Sequence, residues 1–219
     1  MVAPDVAAFV VPEPLRETVE EFKTALLAAD RSIIAGRVVH DQVQDKISAA
    51  SYFVTAHLRE QLELDRDHES AVGAYFRETF PFFAMSNLID RSFVKPRGYA
   101  GDYLTIEKVY DDVATGSGRL GRFVDRWFLD IPAARAVKNR RTLLGAVILD
   151  TVRSAGGRCL VTSLASGPAR EFVDVLVSNT SVDLHATCVD IDDQALAHAS
   201  SIAKGPASTI GSHSFAPTS

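Results

Sequence analysis

The residue types and spacing that most directly suggest chemistry are a glycine and an aspartate. Gly167 sits in the small-residue string Ser163-Leu164-Ala165-Ser166-Gly167-Pro168-Ala169, and Asp190 closes the apolar run from Leu184 to Val189. They lie 23 positions apart, close to the ~20 that separate a glycine turn from a ribose-binding acid in nucleotide-binding βαβ units. A glycine lets the backbone approach a ligand closely. A carboxylate can accept from both hydroxyls of a ribose, although an acid at this place also serves as a plain strand-end turn residue. The elements that would position the pair are legible around them. A short apolar run, Cys159 to Val161, leads into the turn, and an amphipathic stretch with Phe172, Val173, Val175, Leu176 and Val177 leaves it. Strand, tight turn, helix, strand and acid together read as a βαβ half-unit.

The turn also says something about its ligand. A dinucleotide site wants G-x-G-x-x-G, and those three glycine slots hold Ala165, Gly167 and Arg170. A long arginine in the third slot is expected to hold helix and strand apart. Pro168, read as the first helical residue, removes an N–H from the helix start, where a phosphate needs donors. A ligand without phosphates loses little by this. S-adenosylmethionine, an adenosyl sulfonium amino acid, suits the turn better than NAD.

The strings LVTSLASGPARE and CVDIDDQAL resemble the first two motifs of class I S-adenosylmethionine-dependent methyltransferases. Upstream, KPRGYAGDYLTIEKVYDD, Lys95 to Asp112, resembles a subfamily with a helical region before its Rossmann-like domain. The likeness covers roughly residues 70–200. It implies S-adenosylmethionine as cofactor and a small-molecule methyl acceptor as partner. Of the site it implies that Ser163, Ala165, Ser166, Gly167 and Pro168 lie against the cofactor, that Asp190 accepts the ribose hydroxyls, and that Asp192 is a second candidate for that task. In such enzymes the KPRGYAGDY segment folds over the cofactor cleft, which makes Tyr99 and Asp102 candidates for the methionine or substrate end. From composition alone the same segment is a constrained loop with Asp102 capping the next helix. Arg140, in the middle of a long helix, is either a fork for the methionine carboxylate or a solvated charge. Methyl transfer is an in-line displacement that needs positioning and a dry site, with no covalent nucleophile, so no triad is expected and the general base is left unassigned.

Helical periodicity marks the rest of the chain. Leu15, Val19, Phe22 and Leu26 predict a helix over 13–35, and Val43, Ile47, Val54 and Leu58 a second over 40–64. A third, about 68–80, is expected to stop at Pro81. A helix containing Trp127 and a long one over 133–155 follow. The fold class is α/β, mostly helical overall, with an N-terminal helical region packed on a partial Rossmann-like methyltransferase unit. The divisions are 1–131 as helical cap region, 132–204 as S-adenosylmethionine-binding unit, and 205–219 as a disordered tail without periodicity. On this reading the unit is truncated after its second strand. A non-catalytic helical interaction module with a remnant nucleotide unit, and less favourably an NAD-dependent oxidoreductase fragment, stand as alternatives.

Composition bounds the remainder. The chain has 219 residues, 47% of them hydrophobic, and a net charge of −5 with scattered basic residues, so nucleic acid is not an expected partner. No apolar span is long enough for a bilayer and the N-terminus has no basic n-region, so neither membrane nor secretion is expected. The two cysteines, Cys159 and Cys188, fall in expected strands, which suits a cytoplasmic setting. Six histidines without ligand spacing give no sign of a metal. Oligomeric state is not legible.

Overall fold

A computed structural model describes residues 13–37, 39–64, 69–179 and 181–203, and the backbone of 210–214. The chain divides into two compact units. The first comprises residues up to Pro96 together with Val113–Ile131, and the second Arg97–Asp112 together with the chain from Pro132 onward. The segment from Arg97 to Asp112, assigned by sequence to the helical cap, groups with the second unit.

The first unit is helical: α1 (Glu13–Ile34), α2 (His40–Leu64), α3 (Glu69–Phe76), α4 (Phe80–Phe83), α5 (Asn87–Val94) and, after the excursion into the second unit, α7 (Gly121–Asp130). The stripe Leu15, Val19, Phe22, Leu26 of α1 meets Val43, Ile47 and Val54 of α2 in one core with Val72, Phe83, Phe123, Val124 and Trp127. Full burial of each such side chain contributes ~1.5–3 kcal/mol. Pro81 does not end the helical run as the sequence suggested. A single 3₁₀ turn, Arg77–Thr79, follows α3, and Pro81 then sits in the first turn of α4, where its missing N–H costs nothing. Asp125 of α7 is fully buried. Its carboxylate accepts from the Ser86 hydroxyl, the Leu88 N–H at 3.2 Å and the Thr115 N–H at 2.8 Å, tying the start of α5 and the 113–120 turn to α7.

The second unit contains α6 (Tyr103–Asp111), α8 (Pro132–Ala155), β1 (Cys159–Leu164), α9 (Arg170–Ser178), β2 (Leu184–Asp190), α10 (Asp193–Ile202) and β3 (Ile210–Ser214). β1 pairs parallel with β2, from Cys159 opposite Leu184 to Leu164 opposite Val189. β2 pairs parallel with β3, from Ala186 opposite Ile210 to Asp190 opposite Ser214. The order is β1-β2-β3. The third strand corrects the expectation of a unit truncated after its second strand and of a structureless tail from residue 205. The rest of that expected tail, 205–209 and 215–219, lies outside the described residues.

Side chains alternate between the faces of a strand. Cys159, Leu184, Ala186 and Cys188 turn to the face shared with Ile148 and Val152 of α8, Phe172 and Val175 of α9, and Leu196 and Ala199 of α10. Leu160 and Leu164 turn to the opposite face of β1 and are exposed. Among the described residues one sheet face is covered, not the two that an all-parallel interior has. No helix among them is long and apolar enough to cross a membrane.

Candidate functional site

The bend between β1 and α9 has an unusual backbone. Ala165, Gly167 and Ala169 all have positive φ, at 52°, 52° and 50°. The left-handed region costs an L-residue ~1–2 kcal/mol, so two alanines are strained here while Gly167 is not. α9 begins at Arg170, with Ala169 as its N-cap residue. Pro168 is therefore inside the bend, two residues before the helix, and not at its first position as the sequence suggested.

Asp190 at the end of β2 faces this bend. Its Oδ2 accepts from the Gly167 N–H at 2.7 Å and its Oδ1 from the Asp192 N–H at 2.9 Å. A carboxylate has about four acceptor positions, so both oxygens retain capacity for a ligand donor. Beside it, Ser166 Oγ is buried and makes no hydrogen bond of ordinary geometry among the described residues.

A cavity of ≈ 490 Å³ opens over the bend, inside the 300–1,000 Å³ range of small-ligand sites. Ser163, Ala165, Ser166, Gly167, Pro168 and Asp190 line it, as do Tyr99 and Arg140. Eight of the ten residues singled out from sequence thus meet at one place. Among the lining residues that were not singled out are Ile106, Tyr110, Leu144, Glu171, Ile191 and Ala195. Periodicity held a signal for Ile106 and Tyr110, which lie on one face of α6 with Tyr103. Nothing in the sequence distinguished Glu171 from an ordinary first-turn acid. Burial pushes the Glu171 carboxyl above the usual carboxylate range, against a weaker pull from Arg140. Arg140 donates a long 3.5 Å hydrogen bond to the Tyr110 hydroxyl.

The two other sequence candidates serve as caps and do not line the cavity. Asp102, fully buried, is the N-cap of α6 and accepts from the Leu104 and Thr105 N–H groups and the Thr105 hydroxyl. At the helix start its side chain is turned to its own backbone. Asp192 is the N-cap of α10 and accepts from the Gln194 and Ala195 N–H groups. Both its oxygens also accept from Arg97 Nη2, at 2.7 and 2.6 Å.

Charged contacts hold the α6 segment to the rest of this unit. Besides Arg97–Asp192, Arg170 Nη1 lies 2.6 Å from Glu107 Oε2. Arg141 is over the Tyr110 ring at 5.1 Å while forking onto Asp174 of α9 at 2.5 and 2.7 Å. The arginine in the third glycine slot therefore does not wedge helix from strand; its side chain runs to α6.

Among the described residues no group of three His, Cys, Asp or Glu side chains is placed to hold a metal. Residues 84–207 match a family model described as "Putative methyltransferase". No curated protein and no solved structure matches the chain.

Proposed function

Because the chain belongs to this methyltransferase family, we propose that its second unit is a Rossmann-like domain that binds S-adenosylmethionine over the Gly167 bend and passes its methyl group to a small molecule. The observation that carries the reading is the hydrogen bond from Gly167 N–H to Asp190. It occupies the donor that a pyrophosphate would need and puts a carboxylate where the phosphate charge would sit; Pro168 has no N–H to offer instead. The bend thus disfavours a dinucleotide and suits a cationic, phosphate-free adenosyl ligand.

The residues fit such a ligand. Asp190 keeps acceptor capacity for the ribose hydroxyls, Ile191 offers an apolar surface beside it for a base, and Ser166 Oγ is a buried polar atom with no hydrogen bond of ordinary geometry among the described residues. Arg140 is the candidate for the carboxylate of the methionine part. When bound, the cofactor supplies a methyl group made electrophilic by its positive sulfur. The chain's part is to hold the acceptor in line with that carbon and to exclude water. Ile106 and Leu144 line the cavity with apolar surface. The strand order β1-β2-β3, with a helix after each of the first two strands, is that of one half of a doubly wound sheet. A cytoplasmic setting suits two unpaired buried thiols.

Isothermal titration with S-adenosylhomocysteine and with NAD tests the reading. Binding of the first and not the second is expected. Binding of NAD, or of neither, overturns it.

A further inference from the structure

We infer that Glu107 is a positioning residue for the cavity: its buried carboxylate, held by Arg170 and faced by the His198 ring, ties the α6 and α9 walls of the cavity together from behind. The ligand-binding arm of the test below rests on the adenosyl reading; the inference about the walls does not.

The side chain of Glu107 is 10% exposed. Its Oε2 accepts from Arg170 Nη1 at 2.6 Å and lies 3.3 Å from His198 Nε2, a contact without hydrogen-bond geometry, while Oε1 is buried without a hydrogen-bond partner among the described residues. A buried carboxylate in this state is costly to leave unpaired, so the Arg170 guanidinium is held to it. The three residues come from three helices, and each has a cavity-lining neighbour. Glu107 follows Ile106 on α6, with Tyr103 and Tyr110 one turn to either side. Arg170 is the first residue of α9 and precedes Glu171, two positions after Pro168. His198 lies one turn after Ala195 on α10, and its ring meets that of Tyr103 at 5.4 Å.

The α6 and α9 walls are thus tied at one point that the cavity does not itself contain, and the α10 wall meets it through the ring contact of His198 with Tyr103. Charge geometry fixes them, since Arg170 reaches α6 with the end of a long side chain. This also gives a physical role to the arginine in the third glycine slot. A glycine there would leave Glu107 without its guanidinium.

The experiment is a double-mutant cycle on the full chain with Glu107→Gln and Arg170→Met, together with Arg170→Lys. It reads thermal unfolding, amide hydrogen exchange over residues 103–111, and titration with S-adenosylhomocysteine. Each single substitution is expected to weaken that ligand by about tenfold or more and to speed exchange in α6, as loss of a buried charge pair does. The double variant should be no worse than the worse single, and Arg170→Lys, which keeps the charge, should recover most of the affinity. Additive losses in the double variant, unchanged exchange in α6, or equal losses from Lys and Met at position 170 would each overturn the inference. If the unaltered chain does not bind the ligand, the adenosyl reading fails, and the exchange cycle still decides the role of Glu107.

Discussion

The backbone N–H of Gly167 donates to Oδ2 of Asp190 across 2.7 Å and 23 positions of sequence, closing the end of β2 onto the bend that leaves β1. The bond orients the carboxylate before any ligand arrives. It also means that substitution at Asp190 acts twice, on the ligand's hydroxyl groups and on the shape of the bend.

Asp190→Ala should weaken S-adenosylhomocysteine by ~1.5–3 kcal/mol, the scale for a hydrogen bond to a charged acceptor. Calorimetry checks it. Unchanged affinity would remove Asp190 from the ligand's contacts.

Glycine chemistry in the bend gives two expectations of opposite sign. Gly167→Ala meets no atom within 4 Å, so its cost comes from φ alone, about 1 kcal/mol. Ala165→Gly relieves the same strain at φ 52°, with a gain of up to about 1 kcal/mol set against the greater freedom of glycine in the unfolded chain. Denaturant titration of both variants measures the pair; a loss at Ala165 would show that its backbone is not strained.

Glu171 should make stability depend on pH. Its folded carboxyl titrates above the unfolded value because burial disfavours the charge. In the window between the two values the folded chain binds more protons, so stability falls as pH rises through it and is fully present below it. Glu171→Gln removes that fall. The variant should melt higher than the parent at neutral pH and lose this advantage below the usual carboxylate range. Melting curves at both pH values decide, and an equal difference at both would exclude titration as the cause.

Asp125→Ala in the first unit should cost ~3 kcal/mol or more, because it strands the buried N–H of Leu88 and the Ser86 hydroxyl. Thermal unfolding measures it. A cost under about 1 kcal/mol would mean that water takes over the vacated acceptor positions.

Helices were legible where one apolar stripe decides. The stripe Leu15, Val19, Phe22, Leu26 gave α1 to within a residue, and the apolar run Leu184 to Val189 gave β2. Pro81 misled because proline stops a helix only from its interior, and here it opens one. β3 was missed because IGSHS has little apolar content of its own and gains its pairing from β2 beside it. In the site, the small-residue turn and the acid were readable from spacing, since local backbone demands choose those residues. Asp102 was legible both as a cap and as a ligand contact because the two tasks ask for the same side chain; the structure shows Asp102 and Asp192 capping α6 and α10, a direction of the carboxylate that sequence does not hold. Arg170–Glu107 joins residues 63 positions apart, a pairing that no local pattern announces.

The chain's single tryptophan lies in the core of the first unit and both its cysteines in the core of the second. Trp127 is 6% exposed, and Cys159 and Cys188 are 7% and 1% exposed. Burial also pushes the Cys188 thiol up, so little reactive thiolate exists until the strand opens. Tryptophan fluorescence, excited beyond the tyrosine band, therefore reports melting of the helical unit, while the rate of thiol alkylation clocks opening of the sheet. The order in which the two halves come apart can be followed on the unaltered sequence.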